Sequence, residues 1–168
     1  EAFKKASKYS LAAVDKKGGN ISWDMPLDVP GESDYVWMGV DNIKIIIQSI
    51  SESLMSISAY NIVDGKLLWT KHYDVSVFYT SYDLTPVFYN GNILLPLFNR
   101  VEYINVENGN VNRVYLDEDI DHILSFNKNS IQNNTMKFFI EEFENEYVVV
   151  DLDKNVKISG GGLDSENP

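Results

Sequence analysis

Residues 59–69 read Ala-Tyr-Asn-Ile-Val-Asp-Gly-Lys-Leu-Leu-Trp, and this stretch decides the fold. An apolar run ends at Asn61, whose short side chain can bond to backbone two residues further on and so start a turn. Four residues later, Gly65 supplies the positive φ that a tight reversal requires. A second apolar run then begins and carries Trp69. The stretch therefore predicts two antiparallel strands joined by a tight turn.

The same pattern occurs four times, in residues 13–23, 59–69, 103–113 and 149–159. The third and seventh positions of the copies are Asp15, Asn61, Asn105 and Asp151, and Gly19, Gly65, Gly109 and Asn155. The seventh positions lie 46, 44 and 46 residues apart. Trp23 and Trp69 end the first two copies, where Arg113 and Ser159 end the others. Four matches at nearly equal spacing indicate a structural repeat.

Further strand signals lie between these copies. Asn90-Gly91 separates two apolar runs, and an Asn-Gly pair at such a place is a strong sign of a hairpin. Pro96, inside the second of these runs, indicates an irregular or edge position. Each repeat of about 45 residues therefore holds about four strands, which is the length and content of a propeller blade.

We therefore predict an all-β fold of about four four-stranded antiparallel blades, forming part of a β-propeller, in residues 1–159. Residues 160–168 begin with three glycines and are predicted to form a flexible tail. Only Ala2–Ser10 and Ser51–Ser56 have a pattern that allows a short helical turn.

The composition limits the candidate partners. The chain has 168 residues and a formal net charge of −11, so it repels phosphate backbones and anionic membrane surfaces. It contains no cysteine, which excludes thiol catalysis, thiolate metal sites and disulfides. No apolar run approaches the ~18 residues that a membrane-spanning helix needs. We expect no nucleic-acid partner and no membrane span in this chain.

Residues 57–69 resemble the repeat of the quinoprotein-like (PQQ-type) propellers, whose hallmark is an Ala-Leu-Asp-x-x-Thr-Gly-x-x-x-Trp run. Residues 11–23 are a second good match, whereas the copies that end at Arg113 and Ser159 lack the Trp. Thr85-Pro86-Val87 with the downstream Asn-Gly pair also resembles the innermost strand and turn of such a blade. The resemblance covers most of residues 9–159. It is specific for architecture but weak for function, because this repeat serves several unrelated functions.

The resemblance implies three kinds of function. Quinoprotein dehydrogenases bind PQQ and Ca²⁺ in the propeller centre, but they also carry a vicinal cysteine pair and a cofactor-stacking Trp. Cysteine is absent here, and Trp23 and Trp69 stand at the structural blade position. Outer-membrane assembly lipoproteins use the propeller as a non-enzymatic scaffold. Propeller-like luminal domains of the endoplasmic reticulum belong to stress-sensor kinases and to a membrane-insertion complex.

The candidate chemical groups are few. His72 is expected at an exposed edge, and His122 follows the acidic residues of 117–121 without the spacing of a calcium loop. The acidic run of residues 141–146 is typical of the polar tip of a hairpin. We predict no catalytic residue, no metal site and no cofactor. Candidate partner-binding residues are aromatic: Trp37, Phe78, Tyr79 and Tyr82.

Closed propellers of this type usually need more blades than four, so open sheet edges are expected to contact more protein. We predict a non-catalytic protein-interaction scaffold, the propeller module of a larger extracytoplasmic or luminal membrane-associated assembly, located in the periplasm or in the lumen of the endoplasmic reticulum. A protein partner or a second copy would complete its β structure. The alternatives are a luminal sensor domain of a stress kinase that dimerises, and one lobe of a quinoprotein-type enzyme.

Overall fold

The computed structural model describes residues 9–27, 35–51, 54–74, 86–97, 100–115, 123–125, 131–140, 147–154 and 156–161. The regular structure in these residues consists of fourteen β-strands, without a helix. The strands form four antiparallel sheets, which we name sheets A to D in chain order. Neighbours in each sheet are also neighbours in sequence, so every sheet is a simple meander.

The strands of the first two sheets lie in residues 10–74. Sheet A contains β1 (Ser10–Val14) and β2 (Ile21–Pro26). Sheet B contains β3 (Tyr35–Asp41), β4 (Lys44–Ile50), β5 (Leu54–Asn61) and β6 (Leu67–Asp74). Of the Ser51–Ser56 segment, predicted as a possible helical turn, Leu54–Ser56 belong to β5, so that prediction is wrong for these residues.

The other two sheets have the same order as sheet B. Sheet C contains β7 (Val87–Tyr89), β8 (Asn92–Leu97), β9 (Arg100–Asn105) and β10 (Val111–Tyr115). Sheet D contains β11 (Ile123–Ser125), β12 (Thr135–Ile140), β13 (Tyr147–Asp151) and β14 (Val156–Gly161). Gly160 and Gly161, expected in the flexible tail, pair with Val148 and Tyr147 in sheet D. Residues 162–168 lie outside the described residues.

Sheet A holds the first copy of the repeated turn between its two described strands. Its two strands correspond to the third and fourth strands of the other sheets, because both flank a copy of the repeated turn. Within the described residues, therefore, three sheets have four strands and the first has two.

Two-residue turns join the first and second strands of sheets B and C, and an equivalent turn precedes β12 in sheet D. Asn42, Asn90 and Asn133 each take the first turn position with φ between 45° and 52°. A positive φ is strained for most residues but accessible to Asn. Pro96 pairs with Val101 of β9, but the pairing of β7 with β8 ends at Leu94, so Pro96 has no partner on the β7 side within the described register.

Burial follows strand position within each sheet. The seven residues of β4 are all buried, whereas β6 alternates exposed and half-buried residues. An inner strand of a stacked sheet is covered on both faces, and an outer strand keeps one face in water. This difference in coverage explains why the inner strand β4 carries the apolar run Ile45–Ile47, whereas the outer strand β6 carries Lys71, His72 and Asp74.

The chain divides into two compact units, each with its own core. The first unit comprises residues 1–80 and the turn 106–109, and the second comprises residues 81–105 and 110–168. The core shared by sheets A and B contains Leu11, Leu27, Ile45, Ile47 and Tyr60. The core shared by sheets C and D contains Leu94, Val101, Tyr103, Val114, Met136, Val150 and Leu152.

Candidate functional site

The repeated turn is built from its Asx residue. The carboxylate of Asp15 accepts hydrogen bonds from the backbone N–H groups of Lys17 (3.1 Å) and Gly18 (2.9 Å). The Asn61 side chain accepts one from Val63 N–H at 2.8 Å. Because these bonds fix the chain direction after the strand, the Asx residue starts the reversal in each case.

Asp151 has the same role in the fourth copy. Its carboxylate accepts hydrogen bonds from the backbone N–H groups of Asp153 (3.1 Å) and Lys154 (2.9 Å). These bonds, with the ammonium group of Lys154, hold the pKa of Asp151 below its usual value. Asn155, the seventh residue of this copy, lies outside the described residues.

The two repeat tryptophans pack on the turn of the following copy. Trp23 Nε1 donates a hydrogen bond to the Ile62 carbonyl at 3.1 Å, and Trp69 Nε1 donates one to the Val106 carbonyl at 3.0 Å. The ring of Trp23 lies over Gly65, where a Cβ atom would be 2.8 Å from Trp23 Cε3. Trp69 lies over Gly109 in the same way. Both indoles therefore act in packing between repeats.

The third copy replaces Trp by Arg113 and has a different strand register. Sheets A, B and D each contain a register shift beside the repeated turn, whereas β9 and β10 pair without one. Trp69 therefore lies opposite Ala59, the first residue of its copy. Arg113 instead lies opposite Glu102, the residue just before the first residue of its copy.

A charged cluster results from this register. Glu102 is completely buried, and its Oε1 accepts hydrogen bonds from Arg100 Nε (3.0 Å) and Arg113 Nε (2.9 Å). Glu102 Oε2 has no hydrogen-bond partner among the described residues. Sequence analysis missed this cluster, although Arg100 and Glu102 at alternate positions of a strand were a sign that they share a face.

A second set of polar side chains contacts the repeated turn between β13 and β14. Asp153 accepts hydrogen bonds from the Tyr89 hydroxyl (3.1 Å) and from Asn134 Nδ2 (2.6 Å). Burial, and then the neighbouring carboxylate of Asp153, raise the pKa of Tyr89. Burial also raises the pKa of Tyr103, whose hydroxyl has no hydrogen-bond partner among the described residues. The hydrogen bond from Tyr89 to Asp153 holds this turn against sheet C.

Of the four predicted partner-binding residues, the structure describes Trp37. Trp37 lies in β3, is half-buried, and faces away from its exposed neighbours Met38 and Val40. Phe78, Tyr79 and Tyr82 lie outside the described residues. Met38 and Val40 are 56 % and 53 % exposed, and sequence analysis did not single them out, because both faces of β3 carry apolar residues.

The candidate metal and acid–base groups are not brought together in the described part of the chain. His72 is exposed in β6, and His122 and the acidic runs of 117–121 and 141–146 lie outside that part. Among the described residues no group of three or more His, Asp or Glu side chains is placed to hold a metal ion. Nor do these residues include a helix long and apolar enough to span a membrane.

Comparison with known proteins supports the architecture. No protein-family model matches the chain, and no curated protein matches its sequence. The fold is similar to the crystal structure of BamB from Moraxella catarrhalis, with a TM-score of 0.58 and 17% identity over 92% of this chain. The match covers 47% of BamB, so the chain spans about half of that protein's length. The likeness confirms the predicted partial β-propeller.

Glutaminyl cyclase from Myxococcus xanthus is also similar in structure. Its TM-score is 0.44 at 9% identity, and the match covers 90% of this chain and 61% of that one.

Proposed function

We propose that the chain is a non-catalytic protein-interaction module, the propeller part of an extracytoplasmic, membrane-associated assembly. The observation that carries the proposal is the apolar face of β3, where Met38 and Val40 are more than half exposed. Adjacent large apolar side chains in water are typical of a surface that binds protein. The resemblance of the repeats to those of scaffold lipoproteins of outer-membrane assembly supports this class of assembly.

The charge of the chain narrows the kind of partner. With a net charge of −11, its surface attracts basic protein surfaces and repels nucleic acid and anionic lipid. A protein in the assembly is therefore the partner that fits best, and electrostatic attraction would speed its approach.

Recognition through strand edges and exposed apolar residues suits this fold. Among the residues that the structure describes, β1 and β2 are the two outer strands of sheet A, and β3 is an outer strand of sheet B. An edge strand offers unpaired backbone N–H and carbonyl groups to a partner strand, and nearby apolar residues add specificity.

Lysine-specific cross-linking in the native host tests this proposal. The protein that contains this chain is tagged, cells are treated with the reagent, and cytoplasmic, extracytoplasmic and membrane fractions are compared. We expect a discrete cross-linked complex with a membrane-associated protein. Recovery of the uncross-linked protein from the cytoplasmic fraction alone would contradict the proposal.

A titration with PQQ and Ca²⁺, followed by absorbance, tests the non-catalytic part of the proposal. We expect no saturable change in the PQQ spectrum. Stoichiometric binding would instead indicate an enzyme lobe of the quinoprotein type.

A further inference from the structure

We propose that Asn90-Gly91 is a site of spontaneous deamidation in the folded chain, and that the ring of Trp69 protects Asn108-Gly109 from the same reaction. These are the two Asn-Gly pairs of the sequence. The proposal concerns a chemical modification and does not depend on the proposed function. It follows from comparing the surroundings of the two glycines.

The reaction joins the backbone of Gly91 to the side chain of Asn90. The Gly91 nitrogen gives its proton to a base in the solvent and attacks Asn90 Cγ, so that an N–Cγ bond forms and the side-chain nitrogen leaves as ammonia. Glycine favours this attack because it has no Cβ atom to crowd the nitrogen. Water then opens the succinimide ring. Breaking the new N–Cγ bond gives Asp, and breaking the original peptide N–C bond gives isoaspartate.

The Asn90-Gly91 turn is open to this reaction. Both residues are exposed at the tip of the β7–β8 hairpin, and a Cβ atom on Gly91 would meet nothing within 4 Å. The Gly91 N–H has no hydrogen-bond partner in the part of the chain that the structure describes. Turning the peptide toward Asn90 Cγ breaks one exposed bond, from Asn92 Nδ2 to the Asn90 carbonyl at 3.1 Å. It also releases Asn90 from a left-handed φ of 45°.

The Asn108-Gly109 turn has different surroundings. Asn108 is exposed, but Gly109 is buried beneath the indole of Trp69, and a Cβ atom on Gly109 would be 2.9 Å from Trp69 Cδ2. Trp69 Nε1 also donates its hydrogen bond to the Val106 carbonyl of this turn at 3.0 Å. Turning the peptide before Gly109 therefore has to lift the ring from the turn. The free energy of this local opening slows the reaction at Asn108.

Deamidation of Asn90 would act on the contact between sheet C and the turn that joins β13 and β14. The Tyr89 hydroxyl donates to Asp153 Oδ1 at 3.1 Å. Burial and Asp153 raise the pKa of Tyr89, whereas the side-chain amide of Asn90 acts in the opposite direction, so this amide lies beside the hydroxyl. Either product replaces the amide by a carboxylate. The added negative charge near Asp153 should weaken the contact.

Peptide mass spectrometry during incubation of the folded chain in mildly alkaline buffer tests the proposal. Fragmentation assigns the replacement of NH₂ by OH to a residue, and enzymatic methylation of the free carboxylate identifies isoaspartate. We expect Asn90 to react at least about tenfold faster than Asn108, because Asn108 first needs a local opening. In the urea-unfolded chain the two rates should agree within about twofold, since both residues precede glycine and no ring covers either.

Two tryptophan variants test the protecting role of the ring. Trp69→Ala should raise the rate at Asn108 at least about fivefold and leave the rate at Asn90 within about twofold of the parent. Trp23→Ala is the matched control, because it removes the equivalent ring from Gly65 and leaves Trp69 in place. It should not change the rate at Asn108. The comparison of Asn90 with Asn108 in the parent chain needs no variant and decides the matter if Trp69→Ala folds poorly.

Hydrogen exchange tests the effect on the contact. The deamidated chain is separated from the parent by anion exchange, and the backbone amides of Asp153 and Lys154 should exchange faster in it. Unchanged exchange would contradict the predicted effect of the new carboxylate.

Two outcomes would overturn the proposal itself. Equal rates at Asn90 and Asn108 in the folded parent chain would mean that the fold does not distinguish the two pairs. A Trp69→Ala chain that is folded by circular dichroism, yet reacts at Asn108 no faster than Trp23→Ala, would exclude the ring as the protecting group.

Discussion

Two different constraints, a positive φ and the close approach of a Trp ring, favour glycine in the repeated turn. Gly19, Gly65 and Gly109 take the same motif position with φ of 68°, 71° and 71°. A Cβ at Gly65 or Gly109 would lie within 3.0 Å of an indole ring, whereas a Cβ at Gly19 meets nothing within 4 Å. Backbone conformation therefore applies to all three, and the close approach of Trp applies to the last two.

Alanine substitution separates these two effects. We expect Gly19→Ala to lower the free energy of unfolding by about 1 kcal/mol through left-handed backbone strain, and Gly65→Ala by about 2–4 kcal/mol because the methyl group also displaces Trp23. Urea unfolding measures both. In a Trp23→Ala background the cost of Gly65→Ala should fall toward that of Gly19→Ala, with Met25 Sδ, 3.1 Å from the added Cβ, as the remaining close neighbour. Equal costs in the parent chain would contradict the proposed contact.

Tyr103 gives a prediction on pH dependence. Its folded pKa lies above the ordinary value of about 10, so the unfolded chain releases the phenolic proton first as the pH rises. The contribution of this raised pKa to the free energy of unfolding is complete below pH ~10. It is lost, at up to about 1.4 kcal/mol per pH unit, as the pH rises toward the folded pKa. Urea unfolding of the parent chain over about four pH units, from about pH 7 to about pH 11, should show this loss.

Tyr103→Phe removes this contribution. The variant should lose stability less steeply above pH ~10 and should be at least as stable as the parent at neutral pH, because the buried hydroxyl has no hydrogen-bond partner among the described residues. Tyr115→Phe is the control, since Tyr115 is 64% exposed. Parallel pH profiles for the parent and Tyr103→Phe would refute the assignment.

At the scale of the strand, the charged cluster of β9 and β10 depends on register. Arg113 reaches Glu102 because β10 pairs with β9 without the shift that the other three sheets contain. The cluster therefore reports whether this hairpin has its native pairing.

Removing both arginines tests the cluster. R100Q/R113Q leaves the buried Glu102 carboxylate without a cation and should lower the free energy of unfolding by about 3–5 kcal/mol. Adding Glu102→Met removes the buried charge and should restore most of that loss. Lys66→Gln, which breaks the exposed pair with Asp64, should cost less than about 1 kcal/mol. Failure of Glu102→Met to restore stability would exclude an unpaired charge as the cause.

The turns show how far local sequence predicts an element. Asn90-Gly91 was predicted as a hairpin turn, since both residues readily take the positive φ that it requires. The equivalent turns at Asn42 and at Asn133-Asn134 were not singled out, because Asn followed by Ile or Asn is also common in ordinary loops. The repeated Asx turn was found because four copies at nearly equal spacing added to a weak local signal.

For the whole molecule, the net charge of −11 acts against the compact state. We expect the free energy of unfolding to rise by on the order of 1 kcal/mol when NaCl is raised from about 20 mM to about 200 mM, because salt screens exposed like charges. Urea unfolding at the two salt concentrations measures the change. A fall in stability with salt would mean that attractive ion pairs outweigh the repulsion.

The architecture was predictable and the exposed surface was not. Alternation and turn residues are local, so four repeats and their strands could be identified from the sequence. Whether an apolar residue is covered depends on the neighbouring sheet: Val40 and Ile131 have similar side chains and equivalent positions, yet only Ile131 packs in a core. For the same reason the sequence did not reveal that Glu102 is buried.

The direction of the Trp–Gly contacts has a consequence for how such a chain can evolve. Each Trp meets the Gly of the following copy, so duplicating one repeat length of sequence recreates the pair at the new junction without further change. The order of substitution matters as well. A side chain in place of Gly would clash with the Trp ring, whereas replacing the Trp first leaves room for a Cβ atom in the next turn. The third copy ends in Arg113, and the turn after it carries Asn155 where its predecessors carry Gly. That combination is one that the contact allows, because Asn accepts a positive φ but carries the Cβ atom that an overlying indole ring would exclude.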